Sequence, residues 1–179
     1  MSTNIKKFTL SAIFVAIAYV LSFVKLLHLP FGGSITLFSM LFISFPSYFF
    51  GLKYGFMASI SYSLLQLIVD PYIVHPIQLI LDYIIAFSSF GIVGIFGRED
   101  KDFVLGFIIA CLIRFIASTI SGYVFFKEYT PEGWNPIVYT VVYNGSYIFT
   151  ECVLSLIVIS VKPVKRILHK FRNQYNDYL

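Results

Sequence analysis

PIQLILDYIIAFSSFGIVGIF, from Pro76 to Phe96, is apolar from end to end apart from Gln78, a few hydroxyls and one carboxylate, Asp82. A helical crossing of a bilayer needs about 20 predominantly apolar residues, and this run is long enough to make one. It lacks the ten-residue alternation of apolar and polar positions that marks a strand of a membrane barrel. An acid buried in hydrocarbon costs roughly 2.5–3.5 kcal/mol on insertion scales, so Asp82 marks a functional position as well as a helix.

Five further runs flank this one, from Phe8 to Leu27, Ile35 to Phe50, Tyr54 to Val69, Phe103 to Phe126 and Pro136 to Val161, the second and third being short for a crossing. Breakers separate them: Pro30, Gly32 and Gly33, then Gly51, then Asp70 with Pro71, then the charged run Arg98–Asp102, then Pro131 with Gly133. The expectation is an all-α membrane protein of six transmembrane helices, forming one substrate-binding domain over residues 1–179. The composition agrees: 58% of the 179 residues are hydrophobic and 12% charged, against roughly 25% charged in a soluble domain. No phosphate-binding G-x-x-x-x-G-K-[ST] loop occurs, so an ATPase within this chain is excluded.

Basic residues set the orientation. With both termini cytoplasmic, that side collects Lys6, Lys7, Lys53, Arg98, Lys101, Lys162, Lys165, Arg166, Lys170 and Arg172, while the outer side holds only Lys25 and Lys127. This is the asymmetry of cytoplasmic loops. It accounts for the net charge of +4 without a nucleic-acid partner. The first run is expected as an uncleaved helix, since no small-x-small cleavage site with a polar continuation follows it. Cys111 and Cys152 read as small buried hydrophobes. His28, His75 and His169 are scattered, which leaves no metal motif, and no cofactor is expected.

Three ionisable residues lie inside the runs. Arg114 and Glu151 fall at similar mid-membrane height on consecutive antiparallel helices, and are expected to pair, directly or through Ser and Thr hydroxyls, as a structural lock; an ion relay is the alternative. Asp82 lies about six residues, or roughly 9 Å, below the outer end of its helix, at a height where no basic residue is expected. Around it the outer ends supply Gln66, Tyr72, Tyr83, Ser118, Gly122, Phe126, Tyr139, Tyr143 and Asn144. A carboxylate, amides, phenols and ring faces together suit a small cationic or heteroaromatic ligand. An aromatic belt at the headgroups explains outer Tyr and Trp residues, but not an intramembrane Asp and Asn. The loop from Lys127 to Asn135 is placed to act as a lid. Ala12 and Ala16, one turn apart, form a small-xxx-small face for close helix approach.

The segments GGSITLFSM (Gly32–Met40), DPYIVHPIQLILDYIIAF (Asp70–Phe87) and RFIASTISGYVFFKEYTPEGWNPIVYTVVYNGSY (Arg114–Tyr147) resemble the thiamine-specific substrate-binding subunits of energy-coupling factor transporters, the ThiT/YuaJ family. The resemblance covers nearly the whole chain in order. It implies a six-helix subunit of the bacterial cell membrane that captures thiamine at its outer face. Such a subunit works with a transmembrane coupling subunit and two cytoplasmic ATPase subunits. Residue by residue it implies Asp82 as the acidic contact, Tyr83 beside it, Phe126 as the stacking ring, Tyr139 and Asn144 from the last helix, Tyr72 from an outer loop and Gly122 near the ligand. It implies Ala12 and Ala16 as the docking face for the coupling subunit. Ser118 stands where relatives carry a ligand-contacting histidine, and Gly33 and Leu37 stand where some carry a tryptophan and a carboxylate. Thiamine precursors, another vitamin, or a solitary ion-coupled transporter are the alternatives.

Overall fold

The computed structural model describes residues 3–29, 33–69, 71–97 and 99–176. Pro30, Gly32, Asp70 and Arg98, used above as breakers and topology markers, lie outside the described residues. The chain is mostly helical: α1 Thr3–Ser22, α2 Ser39–Phe50, α3 Leu52–Val69, α4 Pro76–Phe96, α5 Asp100–Phe126, α6 Pro136–Ser160 and α7 Lys162–Asn176. A short antiparallel hairpin, β1 Lys25–His28 and β2 Ser34–Thr36, joins α1 to α2.

Among the described residues, four helices are long and apolar enough to cross a membrane: α1, α4, α6, and α5 with the turn that extends it to Tyr129. The other two expected crossings differ. α2 has 12 residues, about 18 Å at 1.5 Å per residue, well short of a bilayer core of about 30 Å. α3 has 18 residues and carries Lys53, Ser59, Ser61, Ser63 and Gln66 along its length. The first expected run also ends early. Its tail from Lys25 is strand, because pairing Lys25 with Thr36 and His28 with Ser34 gives the backbone partners that a helix leaving the bundle would lose. α7, read from sequence only as a basic anchor, is an amphipathic helix.

α1 turns Lys7, Ser11, Val15, Ala18 and Ser22 inward, a stripe at four- and three-residue steps, and packs on α2 and α3. α4 packs on α2, α3 and α5, and α5 on α6. The α2–α4 approach is close: Ser47 Oγ donates to Gly91 O at 2.5 Å and accepts from Gly94 N at 2.9 Å. A Cβ on Gly94 would stand 2.2 Å from Ser47 O, so only glycine fits. α5 begins with a capping box between Glu99 and Asp102.

Polarity is segregated along the bundle. At one end Phe14, Phe45, Tyr48, Phe49, Phe50, Phe103 and Phe171 form a continuous ring cluster, with neighbouring centroids 4.7–6.3 Å apart. At the other end the helices splay around a polar cavity.

Candidate functional site

The cavity takes its walls from every major element except α2's interior turns and α7. It is a concave, partly enclosed cleft in which a few polar side chains converge among ring faces, the form of a small-molecule site. Asp82, Tyr83, Ser118, Gly122, Phe126, Tyr139, Asn144 and Tyr72 all line it, as do Arg114 and Glu151.

Asp82 and Tyr83 lie on a π-helical turn, Ile80–Ile85, within α4. Such insertions are rare and concentrate at functional sites, because the widened turn re-aims side chains that a regular helix would send elsewhere. Two neutral donors hold the Asp82 carboxylate, and both use one oxygen: Gln78 Nε2 donates to Oδ2 at 2.8 Å and Ser121 Oγ donates to the same atom at 2.7 Å. Among the described residues no cation pairs with Asp82, and Oδ1 accepts no hydrogen bond. Gln78 is fully buried; it also donates to Tyr72 O at 3.0 Å and accepts from Val74 N at 3.2 Å, tying the loop before α4 to the acid. Tyr83 Oη accepts from Tyr72 N at 2.9 Å. Sequence reasoning missed Gln78. Its spacing of four from Asp82 was the available signal, since i and i+4 share a helix face.

The Tyr72 ring stacks on Phe126, centroids 5.6 Å apart and planes 26° from parallel. Burial, followed by the neighbouring Tyr129, raises the Tyr72 phenol above its ordinary value, so it presents a neutral hydroxyl. His75 caps α4, its Nδ1 accepting from Ile77 N at 3.1 Å. On the opposite wall Tyr139, Tyr143 and Tyr147, spaced by one helical turn, run down α6 with successive centroids 5.9 Å apart. Tyr143 Oη accepts from Gly33 N at 3.0 Å and so pins the hairpin to this wall.

Asn144 is committed to the fold. Its Nδ2 donates to Thr140 O at 3.0 Å and Ser118 O at 3.3 Å, while Oδ1 accepts from Tyr147 Oη at 2.8 Å. It therefore fixes the α5–α6 crossing and presents only a second Oδ1 lone pair to the cavity. Gly122 lies at the same crossing, where a Cβ would stand 2.5 Å from Thr140 Cγ2 and 3.2 Å from Asn144 Nδ2. Gly122→Ala should therefore cost about 1–3 kcal/mol by overpacking and lower the thermal midpoint; an unchanged midpoint would show that the two helices separate freely.

The expected Arg114–Glu151 pair does not form as an ion pair. Glu151, deeply buried, accepts instead from the segment leading into α2: Thr36 N at 3.0 Å and Thr36 Oγ1 at 2.8 Å to Oε2, Met40 N at 3.1 Å and Ser39 Oγ at 3.3 Å to Oε1. It serves as the cap that α2 lacks, since Phe38 at the N-cap makes no side-chain bond and adopts the left-handed conformation, φ 62°. Arg114 points elsewhere, its guanidinium 4.4 Å from the Phe87 ring centroid, and its buried Nε has no hydrogen-bond partner. Equal height on adjacent helices fixed neither azimuth.

A family model described as thiamine transporter protein (Thia_YuaJ) matches residues 8–170. The chain belongs to the thiamine transporter family. It is 32% identical over 164 residues to the thiamine transporter ThiT of Bacillus subtilis, covering 83% of this chain and 85% of that one. It is 29% identical over 120 residues to ThiT of Lacticaseibacillus paracasei, covering 60% of each. The solved structure of ThiT from Listeria monocytogenes superposes with a TM-score of 0.78 at 26% identity, over 96% of this chain and 97% of that one. As a member of the thiamine transporter family, the chain is a non-catalytic, substrate-binding transport protein of a bacterial membrane. Ala12 and Ala16 lie on the outer face of α1, exposed between Phe8, Ile13 and Val20, and not in the cavity.

Proposed function

We propose that the cavity binds thiamine from the outer side of the membrane, and that the chain hands it to a transmembrane coupling subunit driven by two cytoplasmic ATPase subunits. The observation that carries the ligand is Asp82: a carboxylate within a membrane helix, held by two neutral donors on one oxygen, with the other oxygen uncommitted and, among the described residues, no ion-pair partner. A thiazolium supplies the missing positive charge, and the aminopyrimidine supplies donors and a flat face for the Tyr72 and Phe126 rings. Tyr83, Tyr139, Asn144, Ser118 and Gly122 complete the surrounding wall. A topology with both termini cytoplasmic turns the cavity outward, in keeping with the basic residues at the opposite end.

Calorimetric titration of the purified protein with thiamine, its phosphates and the free aminopyrimidine tests the reading. Saturable one-to-one binding that favours thiamine supports it. Binding of the pyrimidine alone, with thiamine excluded, would reassign the site to a precursor, consistent with Ser118 in place of the family's histidine. Energy supply is tested separately. Ala12→Arg and Ala16→Arg should abolish uptake in cells while leaving thiamine affinity within about twofold, because each adds bulk and charge to an exposed helix face remote from the cavity. Loss of affinity in both variants would refute the docking role. Uptake into vesicles of the chain alone, driven by an ion gradient, would refute the need for partners.

A further inference from the structure

The C-terminal helix raises a separate question. α7 carries Lys162, Lys165, Arg166, Lys170 and Arg172 and no acidic residue. Its inner side is apolar and anchored: Phe171 packs on Phe49 at 4.7 Å and Phe14 at 5.9 Å, and Tyr175 packs edge-on to Phe50 at 6.0 Å. Arg172 and His169 are also engaged, since His169 Nε2 lies 2.9 Å from Asp100 Oδ2 and Arg172 Nη2 lies 3.0 Å from His169 Nδ1. Lys162, Lys165 and Arg166 are different. All three are exposed, and none has an anionic partner among the described residues. With His169 they line one shallow depression, at positions i, i+3, i+4 and i+7 of the helix, which share a face.

A second groove lies on the helix that precedes α7. Val153, Leu156, Ile157, Ser160 and Val161 line it on α6, again at i, i+3, i+4 and i+7 before the chain turns at Val161. Val153 is 53% exposed, Ile157 57% and Val161 47%, on a helix long and apolar enough to cross the membrane. The chain therefore presents an apolar trough on a crossing helix whose last lining residue, Val161, is followed directly by Lys162, the first of three unpartnered cations at the first turns of α7. An acyl chain requires the first and a phosphate headgroup the second.

We propose that the α6–α7 corner is a binding site for one anionic phospholipid, with its phosphate on Lys162, Lys165 and Arg166 and an acyl chain along Val153, Ile157 and Val161. The site is independent of the cavity and of what the cavity binds. A charge near the surface would attract any anionic leaflet, but the trough adds a stoichiometric seat that scattered lysines lack.

The test uses the full chain, purified and analysed intact by mass spectrometry with phosphatidylglycerol or phosphatidylcholine supplied, and by thermal unfolding in nanodiscs of each lipid. The wild type should retain one phosphatidylglycerol in preference to phosphatidylcholine. K162Q/K165Q/R166Q should lower that retention about tenfold or more, and K6Q/K53Q/K101Q, which removes the same charge outside α7, by less than about twofold. The first variant should also lose the rise in thermal midpoint that phosphatidylglycerol gives the wild type, while unfolding normally in phosphatidylcholine. If it does not fold there, Arg166→Gln alone carries the test, with an expected loss of about threefold. Equal loss in the two triple variants, or undiminished retention in the first, would overturn the proposal. Displacement of the lipid by millimolar inorganic phosphate would reduce the site to a headgroup contact and overturn the acyl seat.

Discussion

Asp82→Asn should weaken thiamine binding about 100- to 1000-fold and leave the thermal midpoint of the unliganded protein nearly unchanged. Gln78 and Ser121 both donate to Oδ2, so an asparagine whose carbonyl oxygen takes that place keeps both bonds and turns its amide toward the cavity. The fold loses little. The ligand loses its counter-charge in a site walled by protein, and removing one member of a buried, hydrogen-bonded charge pair costs about 2–5 kcal/mol, each 1.4 kcal/mol being a factor of ten. A thiamine isostere with an uncharged ring separates this from a shape effect. It should bind the wild type poorly and discriminate little between wild type and variant. If the neutral analogue suffered the same loss as thiamine, Asp82 would be acting through the wall and not through charge.

This residue was also the most legible one in the sequence, because a lone acid in an apolar run has no cheap explanation. Its surroundings were legible in kind. The outer helix ends hold Tyr72, Ser118, Gly122, Phe126, Tyr139 and Asn144, and these do line one cavity with Asp82. Their individual tasks were not. Asn144 and Gly122 are occupied with the α5–α6 crossing, which depends on how two helices meet and leaves no mark in either one. The π-helical turn that aims Asp82 and Tyr83 has no hydrophobic period of its own to reveal it. The hairpin Lys25–His28 with Ser34–Thr36 is too short for alternation to be counted. The six runs were plain from apolarity, but α2 at 12 residues shows that a run bounded by breakers is not the length of its helix.

Glu151→Ala should destabilise the fold strongly, lowering the thermal midpoint by about 10 °C and weakening ligand binding with it. The carboxylate gathers four donors from Thr36, Ser39 and Met40. Truncation strands them in a buried site, at about 3–5 kcal/mol in total once partial relaxation is allowed. Thr36 and Ser39 are also cavity wall, so the segment that loosens is one the ligand needs. Glu151→Gln keeps the shape and one acceptor oxygen but turns an amide toward donors, and should fall between wild type and alanine. Arg114 decides between this account and an intramembrane ion pair. Its guanidinium lies over Phe87 and it makes no ion pair with Glu151, acting on it only as a charge through space, so Arg114→Leu should couple with Glu151→Gln by no more than about 1 kcal/mol. A coupling of about 2 kcal/mol or more would restore the direct pair, and would mean that the carboxylate leaves Thr36 and Met40 in the membrane to meet the arginine.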